Sequence, residues 1–349
     1  MTTTSRNTQS VNSNFFTSLL TNDTFLYIVK RILQALLTIF LASALCFFIM
    51  KLAPGDYIDT LRQNPTISPE RIEEIRQKFG FDKPEWMQYL LWLKNILTKG
   101  DFGESIRLKR SVASLMWERV PATLLLAVAS LFFTWAIAIP LGIIAAVNQN
   151  RWGDRILQVL SYAGQGFPSF ITALLLLIFA QVTAPIFPVG GMTSISHAEL
   201  SPIGKFLDIA WHMILPTIAL SITSFAGLQR ITRGQMLDVL RQDYIRTARA
   251  KGLPENRVIY VHALRNAINP LITILGFELA SLLGGAFIAE FFFNWPGLGQ
   301  LTLQAVIAKD EFLVMASLVV SAVLLMVGNL IADLLLKVAD PRISLDNES

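Results

Sequence analysis

The stretch ATLLLAVASLFFTWAIAIPLGIIAAV, residues 122–147, decides the fold class of this chain. It runs for 26 residues without a charged side chain. A helix needs about 20 mostly apolar residues to cross the hydrocarbon core of a bilayer, which is about 30 Å thick. The stretch therefore predicts a membrane-spanning helix.

Other stretches of the chain pass the same test. They are 32–50, 156–184, 209–228, 271–293 and 312–336. Three of the six stretches contain a proline: Pro140, Pro168 or Pro216. In a membrane bundle, neighbouring helices can satisfy the carbonyl groups that a proline kink frees. With 53% hydrophobic and 15% charged residues, the composition also lies outside the usual range of a soluble domain. The sequence predicts an all-α membrane protein with six transmembrane helices.

The first apolar stretch follows Lys30 and Arg31, an arrangement that signal peptides share. The stretch is longer than the apolar region of a signal peptide, and the small residues 42–44 lie inside it instead of after it. We therefore expect an uncleaved membrane anchor. The single cysteine, Cys46, lies in this anchor, so it can form no intrachain disulfide and is expected to pack as a small apolar side chain.

The distribution of basic residues predicts which side of the membrane each connection faces, because Lys and Arg are enriched on the cytoplasmic side. Of the 29 Lys and Arg residues, fifteen lie in the N-terminal tail, the 148–155 loop, the 229–269 segment and the C-terminal end. The short loops of the other side hold one each, Lys205 and Lys309. The remaining twelve lie between 51 and 119, a connection long enough to be translocated despite its charge. We expect both termini in the cytoplasm.

The predicted outer connection carries two amphipathic helices. The first has Ser68 as its N-cap and Pro69 at its first position, and Gly80 can end it. The second runs over 84–98 and stops before Gly100. The pair can form a platform for a partner outside the membrane, or it can pack on the bundle or at the lipid interface, and the sequence leaves both possibilities open.

The segment DYIRTARAKGLPENRVIYVHALRNAINP, residues 243–270, is the most informative part of the predicted cytoplasmic side. Tyr244, Ala248 and Gly252 are spaced by four, so a helix would present them on one narrow face that another backbone can approach closely. Gly252 is placed to end this helix and Pro254 to begin the next. Charge alone would favour a topology signal or a contact with anionic lipid, but the spacing favours two short helices, joined by a sharp turn, that face a protein.

This segment resembles the EAA loop of type I ABC importer permeases, in particular the dipeptide, oligopeptide and nickel branch. The residues that carry the resemblance are RTARAKG at 246–252, HALRNA at 262–267 and Pro270. Other landmarks of the family stand in the same order: APGD at 53–56, GFDKP at 80–84, GDFG at 100–103, His212 with Leu215-Pro216, and Glu290 before WPGLG at 295–299. The resemblance covers about residues 28–343. Arg246 departs from it, since the general motif has glutamate there, and so does Glu278, where a neutral or amide residue is expected.

The resemblance implies the type I ABC importer fold, with an external helical insertion between spans 1 and 2. It divides the chain into a cytoplasmic tail (1–27), the first span with the insertion (28–118), a transmembrane core (119–343) and a second cytoplasmic tail (344–349). Within the core, residues 241–269 form what we call the coupling segment, which would dock in a groove of a cytoplasmic ATPase. Its expected contact residues are Tyr244, Arg246, Ala248, Arg249, Gly252, Pro254, Arg257 and His262.

The sequence contains no GxxxxGK[ST] phosphate loop, so ATP and Mg²⁺ are expected on a separate ATPase chain and no cofactor on this one. By resemblance, the chain is a non-catalytic permease subunit of a bacterial inner membrane. Its partners would be the ATPase, a second homologous permease, an external solute-binding protein and membrane lipid. The solute would be a dipeptide, a longer peptide or a similar small solute, such as a glutathione-like compound or a nickel chelate. Nucleic acid is not expected, because the basic residues are sorted by membrane side.

Several other ionisable residues are candidates for function. Glu278 lies within the fifth apolar stretch, where an acidic side chain is costly, so it should either face the translocation path or bond to another helix. Glu290 and Asp333 lie near the ends of stretches and are expected to be solvated at the membrane interface. His197 and His262 have no second histidine or carboxylate at metal-ligand spacing along the sequence, so no metal site is predicted.

An intramembrane hydrolase and an ion-coupled carrier or channel are the two alternatives to a permease. An intramembrane hydrolase would need a nucleophile with a base, but the sequence has no GxSxG or HExxH motif. An ion-coupled carrier or channel without an ATPase could use Glu278 and Asp333, and its uptake would follow the membrane potential. That alternative leaves the pattern of the coupling segment unexplained.

Overall fold

The fold is given by a computed structural model that describes residues 22–52, 55, 57–62 and 67–339. The predicted C-terminal tail, most of the predicted N-terminal tail and all of the APGD motif except Gly55 lie outside the described residues. Apart from one isolated bridge between Glu104 and Ser111, the described part of the chain has no β-structure. The prediction of an all-α protein is confirmed.

The helices are numbered here in chain order. They are α1 (Asn22–Leu52), α2 (Tyr57–Arg62), α3 (Pro69–Phe79), α4 (Glu85–Lys99), α5 (Val112–Val147), α6 (Trp152–Gly166), α7 (Ser169–Val182), α8 (Pro202–Leu240), α9 (Asp243–Ala250), α10 (Glu255–Arg257), α11 (Leu264–Ala267), α12 (Asn269–Phe292), α13 (Leu298–Ile307) and α14 (Glu311–Ala339). A 3₁₀ turn covers His197–Glu199, and a π-helical turn, Val258–Ala263, joins α10 to α11.

Four of these helices, α1, α5, α8 and α14, are each long and apolar enough to cross a membrane. Of the other two predicted spans, the third is divided between α6 and α7, which meet at 104°, and the fifth lies in α12, which begins after a bend of 51° from Glu255–Ala267. By length and composition, the described helices therefore provide up to six spans.

The third span is the one that departs from expectation. One kinked helix was predicted over 156–184, but the helix ends at Gly166 and a new one begins at Ser169. The cause is Pro168, which forces the preceding Phe167 out of the helical region, to φ −90° and ψ 128°. Pro140 and Pro216, in contrast, stay inside α5 and α8, as predicted.

Helix α8 extends well beyond the stretch predicted to lie in lipid. Its 39 residues give a length of about 58 Å, whereas the hydrocarbon core is about 30 Å thick. The end of α8 near Leu240 therefore projects out of the bilayer, and it carries the polar residues Gln229 and Arg233 with it. This projection places the end of α8 beside the coupling segment.

Helices α5 and α8 approach each other closely through small residues. A Cβ atom placed on Gly142 would lie 2.6 Å from the Cβ of Thr232 and 2.8 Å from the backbone oxygen of Gln229. Further along the same pair, the Ser221 hydroxyl donates a hydrogen bond of 3.1 Å to the carbonyl of Ser130. Small residues at a helix contact let backbones approach within a membrane, where no hydrophobic driving force acts between helices.

The insertion between spans 1 and 2 has the predicted caps. The Ser68 hydroxyl accepts a hydrogen bond from the Arg71 N–H at 3.3 Å, and Gly80 ends α3 in the left-handed conformation with φ 74°. The pKa of the Glu70 carboxyl is lowered by hydrogen bonds from its own backbone N–H and from the Ser68 hydroxyl. Both helix ends are thus stabilised locally.

The two helices of the insertion differ in how they pack. Helix α4 buries Tyr89 and Trp92 against Phe47 of α1 and Met315 of α14, and the Tyr89 hydroxyl lies 3.0 Å from that of Ser43. Helix α3 has no buried residue. Of the two possibilities left open by the sequence, packing on the bundle therefore applies to α4, while α3 keeps an exposed surface.

The contact between α5 and α8 gives a test of the fold. The change Gly142→Ala places a methyl group where the space is occupied, and overpacking of this kind costs about 1–3 kcal/mol. We expect a lower thermal midpoint of the detergent-solubilised protein and a lower membrane yield. The matched control is Gly234→Ala in α8, where nothing lies within 4 Å of the added Cβ. It should be neutral or slightly stabilising, because alanine favours helix more than glycine does. Equal losses in both variants would contradict the described packing.

Candidate coupling site

The coupling segment is held to the bundle by a buried apolar cluster, which we call the anchor cluster. Ile245 of α9 is fully buried in it, and Ala248 is 7% exposed. The cluster consists of Ile143, Ala146, Met236, Ile245, Ala248, Val258, Ile259, Ala263 and Ala267. Because its members come from α5, α8 and the coupling segment itself, the short helix α9 is fixed to both long helices.

The turn after α9 forms as predicted. Gly252 has φ 74°, the left-handed conformation that glycine adopts without cost, and its N–H donates a hydrogen bond of 2.9 Å to the carbonyl of Arg249. Pro254 has φ −63° and ψ 140°, so it is the N-cap of α10 and not its first residue. Across the turn, the Arg249 guanidinium donates hydrogen bonds of 2.6 and 3.2 Å to the Glu255 carboxylate, which lowers the pKa of that carboxyl.

The expected narrow face of Tyr244, Ala248 and Gly252 is not present as one exposed surface. Ala248 points into the anchor cluster, Tyr244 is 44% exposed, and the space beside Gly252 is open. The reason is that Ile245 and Ala248 define the buried side of α9, and Tyr244 lies at its edge, about 70° from the centre of that side. The expectation that all three residues share a contact face was wrong in this respect.

The remaining predicted contact residues lie mostly on the surface. Arg246 is exposed and pairs with Asp243 at 3.2 Å. Pro254 and Arg257 are exposed, whereas His262 is half-buried. The stretch after the turn is not one regular α-helix, because a π-helical turn at Val258–Ala263 separates α10 from α11. This turn buries Val258 and Ile259 and leaves Tyr260 and Val261 about half exposed. Short π-helical turns often occur at functional sites.

Sequence reasoning missed the residues that place this segment. Ile245, Met236 and Val258 are fully buried in the anchor cluster and fix the position of the exposed residues. One signal was present: Ile245 and Ala248 are spaced by three, so their burial on one side of α9 was readable from helical periodicity. The partners in α5 and α8 could not be read from the sequence, because they are about 100 residues away or lie beyond the predicted end of a span.

Glu278 bonds to another helix. The indole Nε1 of Trp135 in α5 donates a hydrogen bond of 2.7 Å to Oε2 of Glu278 in α12, and the Glu278 side chain is half-buried. Of the two expectations for this residue, the helix contact is therefore present. Trp135 was not identified from the sequence.

Glu290 is not solvated at the interface, so that expectation was wrong for this residue, whereas Asp333 keeps a partly exposed side chain. Glu290 is fully buried and accepts hydrogen bonds from the Thr123 hydroxyl at 2.6 Å and from the N–H groups of Gly299 and Gln300 at 2.6 and 3.2 Å. These N–H groups open α13, where an anion is favoured. Asp333 binds the Tyr27 hydroxyl at 2.8 Å and Arg31 at 3.2 Å.

The fold brings two histidines to one carboxylate. Nδ1 of His197 lies 2.7 Å from Oδ2 of Asp208, and Nδ1 of His212 lies 3.3 Å from Oδ1 of the same residue. His197 has no carboxylate at metal-ligand spacing along the sequence, but the fold brings the Asp208 carboxylate next to it. No group of three or more metal-ligating side chains with the geometry to hold a metal ion occurs within the described ranges.

Membrane-crossing helices that fix a short exposed segment at one end of the bundle define a polytopic membrane protein that presents a surface outside the lipid. Residues 138–345 match the family described as the binding-protein-dependent transport system inner membrane component, and residues 24–127 match its N-terminal family. The chain belongs to this family of inner membrane components of binding-protein-dependent transport systems.

Similar proteins cover nearly the same length. The chain is 42% identical over 318 residues to the oligopeptide transport system permease protein AppB of Bacillus subtilis, spanning 91% of this chain and 98% of that protein. It is 36% identical over 333 residues, with the same coverage, to the dipeptide transport system permease protein DppB of Escherichia coli. A weaker likeness, with a TM-score of 0.48 and 17% identity, is to the inward-facing MetNI methionine ABC transporter, covering 64% of this chain and 97% of that one.

The family assignment settles the class of the protein. The chain is a multi-pass inner-membrane permease subunit of an ABC importer, and it is non-catalytic, because the ATPase of such a system is a separate subunit. An ATPase and a binding protein are therefore its general partners. The hydrolase and the carrier or channel without an ATPase are set aside.

The anchor cluster predicts that two neighbouring residues of α9 differ in their effect. The change Ile245→Ala removes a fully buried side chain, which costs about 2–5 kcal/mol in a packed core, and should release α9 from the bundle. The control Tyr244→Ala removes an exposed side chain and should leave α9 in place. Hydrogen–deuterium exchange of peptides covering 243–250 measures this directly. Faster exchange is expected in Ile245→Ala only, and equal protection in both variants would show that the cluster does not hold the segment.

Proposed function

We propose that this chain translocates peptides across the inner membrane as the permease of a binding-protein-dependent ABC importer. The proposal of a peptide solute is supported by the similar proteins, which are named as oligopeptide and dipeptide permeases and match almost their full length. The described residues do not distinguish dipeptides from longer peptides. A screen of transported solutes would do so, and uptake of a glutathione-like compound or a nickel chelate instead would contradict a peptide solute.

The coupling segment is proposed to dock on the ATPase subunit. One observation carries this role: α9 is a short helix with an exposed outer side, and its inner side is buried in a cluster that also contains residues of α5 and α8. A force applied to α9 therefore reaches two long helices without passing through a flexible linker. ATP and Mg²⁺ would bind the ATPase, and closure of that subunit would move the helices as packed units between outward- and inward-open states.

The exposed candidates for the ATPase contact are Tyr244, Arg246, Arg249 and Arg257, with the turn at Gly252 between them. Ala248 is proposed to act by positioning, because it lies in the anchor cluster. A second homologous permease is proposed as the partner across the translocation path, as the resemblance in the coupling segment implies.

The charge distribution supports the orientation. With the coupling segment in the cytoplasm, the insertion that contains α3 and α4 lies on the outer side, together with Lys205 and Lys309. The exposed surface of α3 would then be available to the solute-binding protein. Glu278 is proposed to line the path, since an acidic side chain within a span is costly and usually faces a cavity or a partner.

Topology is tested with two single cysteines in a Cys46→Ser background. Glu74 in α3 and Glu255 after the turn are both exposed, so Glu74→Cys and Glu255→Cys should be accessible to thiol reagents. In intact cells, a membrane-impermeant maleimide should label the cysteine at position 74 only, and it should label position 255 after the membrane is opened. Labelling of both positions in intact cells would refute the orientation.

Docking is tested by Gly252→Trp, with Gly80→Trp as the matched control. Both glycines have φ 74° and open space beside them, so a side chain at either costs about 1 kcal/mol of backbone strain. Only the tryptophan at position 252 would project into the proposed ATPase contact. We expect Gly252→Trp to reach the membrane in near-normal amounts but to lose uptake and ATPase co-purification, and Gly80→Trp to retain the ATPase.

A third variant calibrates this result. Arg249→Ala breaks an exposed ion pair, which contributes at most about 1 kcal/mol, and it should reduce uptake less than Gly252→Trp does. Normal uptake and normal ATPase retention in Gly252→Trp would show that the coupling segment is not the docking element.

A further inference from the structure

A second connection links the coupling end of α8 to the bent third span. Asp154, in the first turn of α6, is fully buried and accepts hydrogen bonds from Nε and Nη2 of Arg233 in α8, at 2.6 and 2.7 Å. It also accepts from the Gln158 side chain and from the Asn150 N–H, both at 2.9 Å. The carboxylate is thus bound by a two-pronged guanidinium contact, which fixes both distance and orientation.

This ion pair lies next to the anchor cluster. Arg233 is about one helical turn from Met236, which packs in the cluster with Ile245 and Ala248 of α9. The last turns of α8 therefore contact both the anchor cluster and the start of α6. Through Asn150, the same carboxylate also fixes the loop that connects α5 to α6.

Helix α6 remains in contact with α8 beyond the ion pair. The Ser161 hydroxyl donates a hydrogen bond of 2.6 Å to Gln229, and a Cβ atom on Gly164 would lie 3.2 Å from the Cβ of Ala226. Helix α6 thus follows α8 until the 104° bend, after which α7 takes another direction. A movement of the end of α8 would shift α6 as a unit and change the position of the bend.

Stability alone gives no special reason for a buried ion pair. A pair of apolar side chains of similar size often stabilises a protein as well or better, because two charges must be removed from water. What the charged pair adds to the Ser161–Gln229 hydrogen bond and the close approach at Gly164 is a two-pronged contact that fixes the start of α6 on α8. We infer that Asp154 and Arg233 are positioning residues that transmit the movement of the coupling segment into the third span; this inference rests on the docking role proposed above.

The test separates transmission from assembly. The complete importer, with ATPase, partner permease and binding protein, is reconstituted in liposomes. ATPase co-purification, stimulated ATP hydrolysis and uptake of a labelled peptide retained by the binding protein are then measured. For Asp154→Asn, which keeps the size of the side chain but leaves Arg233 without a counter-ion, we expect normal ATPase co-purification and a fall of about tenfold in peptide transported per ATP hydrolysed.

Two further variants make the result decisive. Arg233→Lys keeps the charge but loses the two-pronged contact, so its loss should be intermediate. The double variant Asp154→Asn with Arg233→Gln removes both charges and should be no worse than Asp154→Asn, because residues that act as a pair are non-additive. The control is Arg110→Ala with Glu118→Ala, which removes an exposed pair outside the coupling segment and should leave transport per ATP unchanged.

Several outcomes would overturn the inference. A purely structural role would reduce the amount of assembled importer but leave transport per ATP at the level of the unmodified protein. Loss of ATPase co-purification in both Asp154→Asn and Arg233→Lys would show that the pair holds the docking surface itself. The proposed function is tested separately by Gly252→Trp, which leaves Asp154 and Arg233 unchanged. Normal ATPase retention in that variant would refute the docking role, and with it the inference.

Discussion

The burial of Ile245 and Ala248 in the anchor cluster, which they share with residues of α5 and α8, is the contact on which the proposed working of this protein depends. A helix of eight residues such as α9 has almost no stability of its own in water, so its position must come from packing. The anchor cluster supplies that packing, and it is possible only because α8 continues beyond the lipid to Met236 and Leu240. The exposed side of α9 is rigid because its other side is buried.

Buried polar contacts then join the spans at both ends of the bundle. Glu290 binds Thr123 and the N–H groups that open α13. The WPGLG loop can pass close to this carboxylate because Gly297 has no side chain, whereas a Cβ atom there would lie only 2.1 Å from it. Asp154 performs the corresponding role between α6 and α8. In both places a carboxylate is removed from water and fully hydrogen-bonded, which is the condition for burying a charge. The bundle is thus held by directional contacts as well as by apolar packing.

Much of this architecture could be predicted from the sequence. The remaining features could not, and each has a physical reason. Length and apolarity gave six spans, and the caps at Ser68, Gly80 and Gly252 were predicted correctly, because these signals are local. The sharp break at Pro168 was underestimated, since a proline alone does not determine whether a span kinks or divides. Glu290 was misassigned because Thr123 lies 167 residues away along the chain and its other donors, at Gly299 and Gln300, are backbone N–H groups that carry no side-chain signal. The expected contact face in α9 was wrong because Ala248 lies on the same buried side as Ile245, a pairing that the spacing of four from Tyr244 to Gly252 does not include.

The central claim is that the exposed side of α9 contacts the ATPase, and site-specific photo-crosslinking from Tyr244 tests it most directly. A photoreactive phenylalanine analogue would replace Tyr244, which is 44% exposed, and a parallel protein would carry it at Trp86 in α4, which is 56% exposed. Illumination of the intact importer in membranes should give an adduct with the ATPase subunit from position 244 and none from position 86. An adduct from position 244 only with lipid or with the second permease would contradict the account.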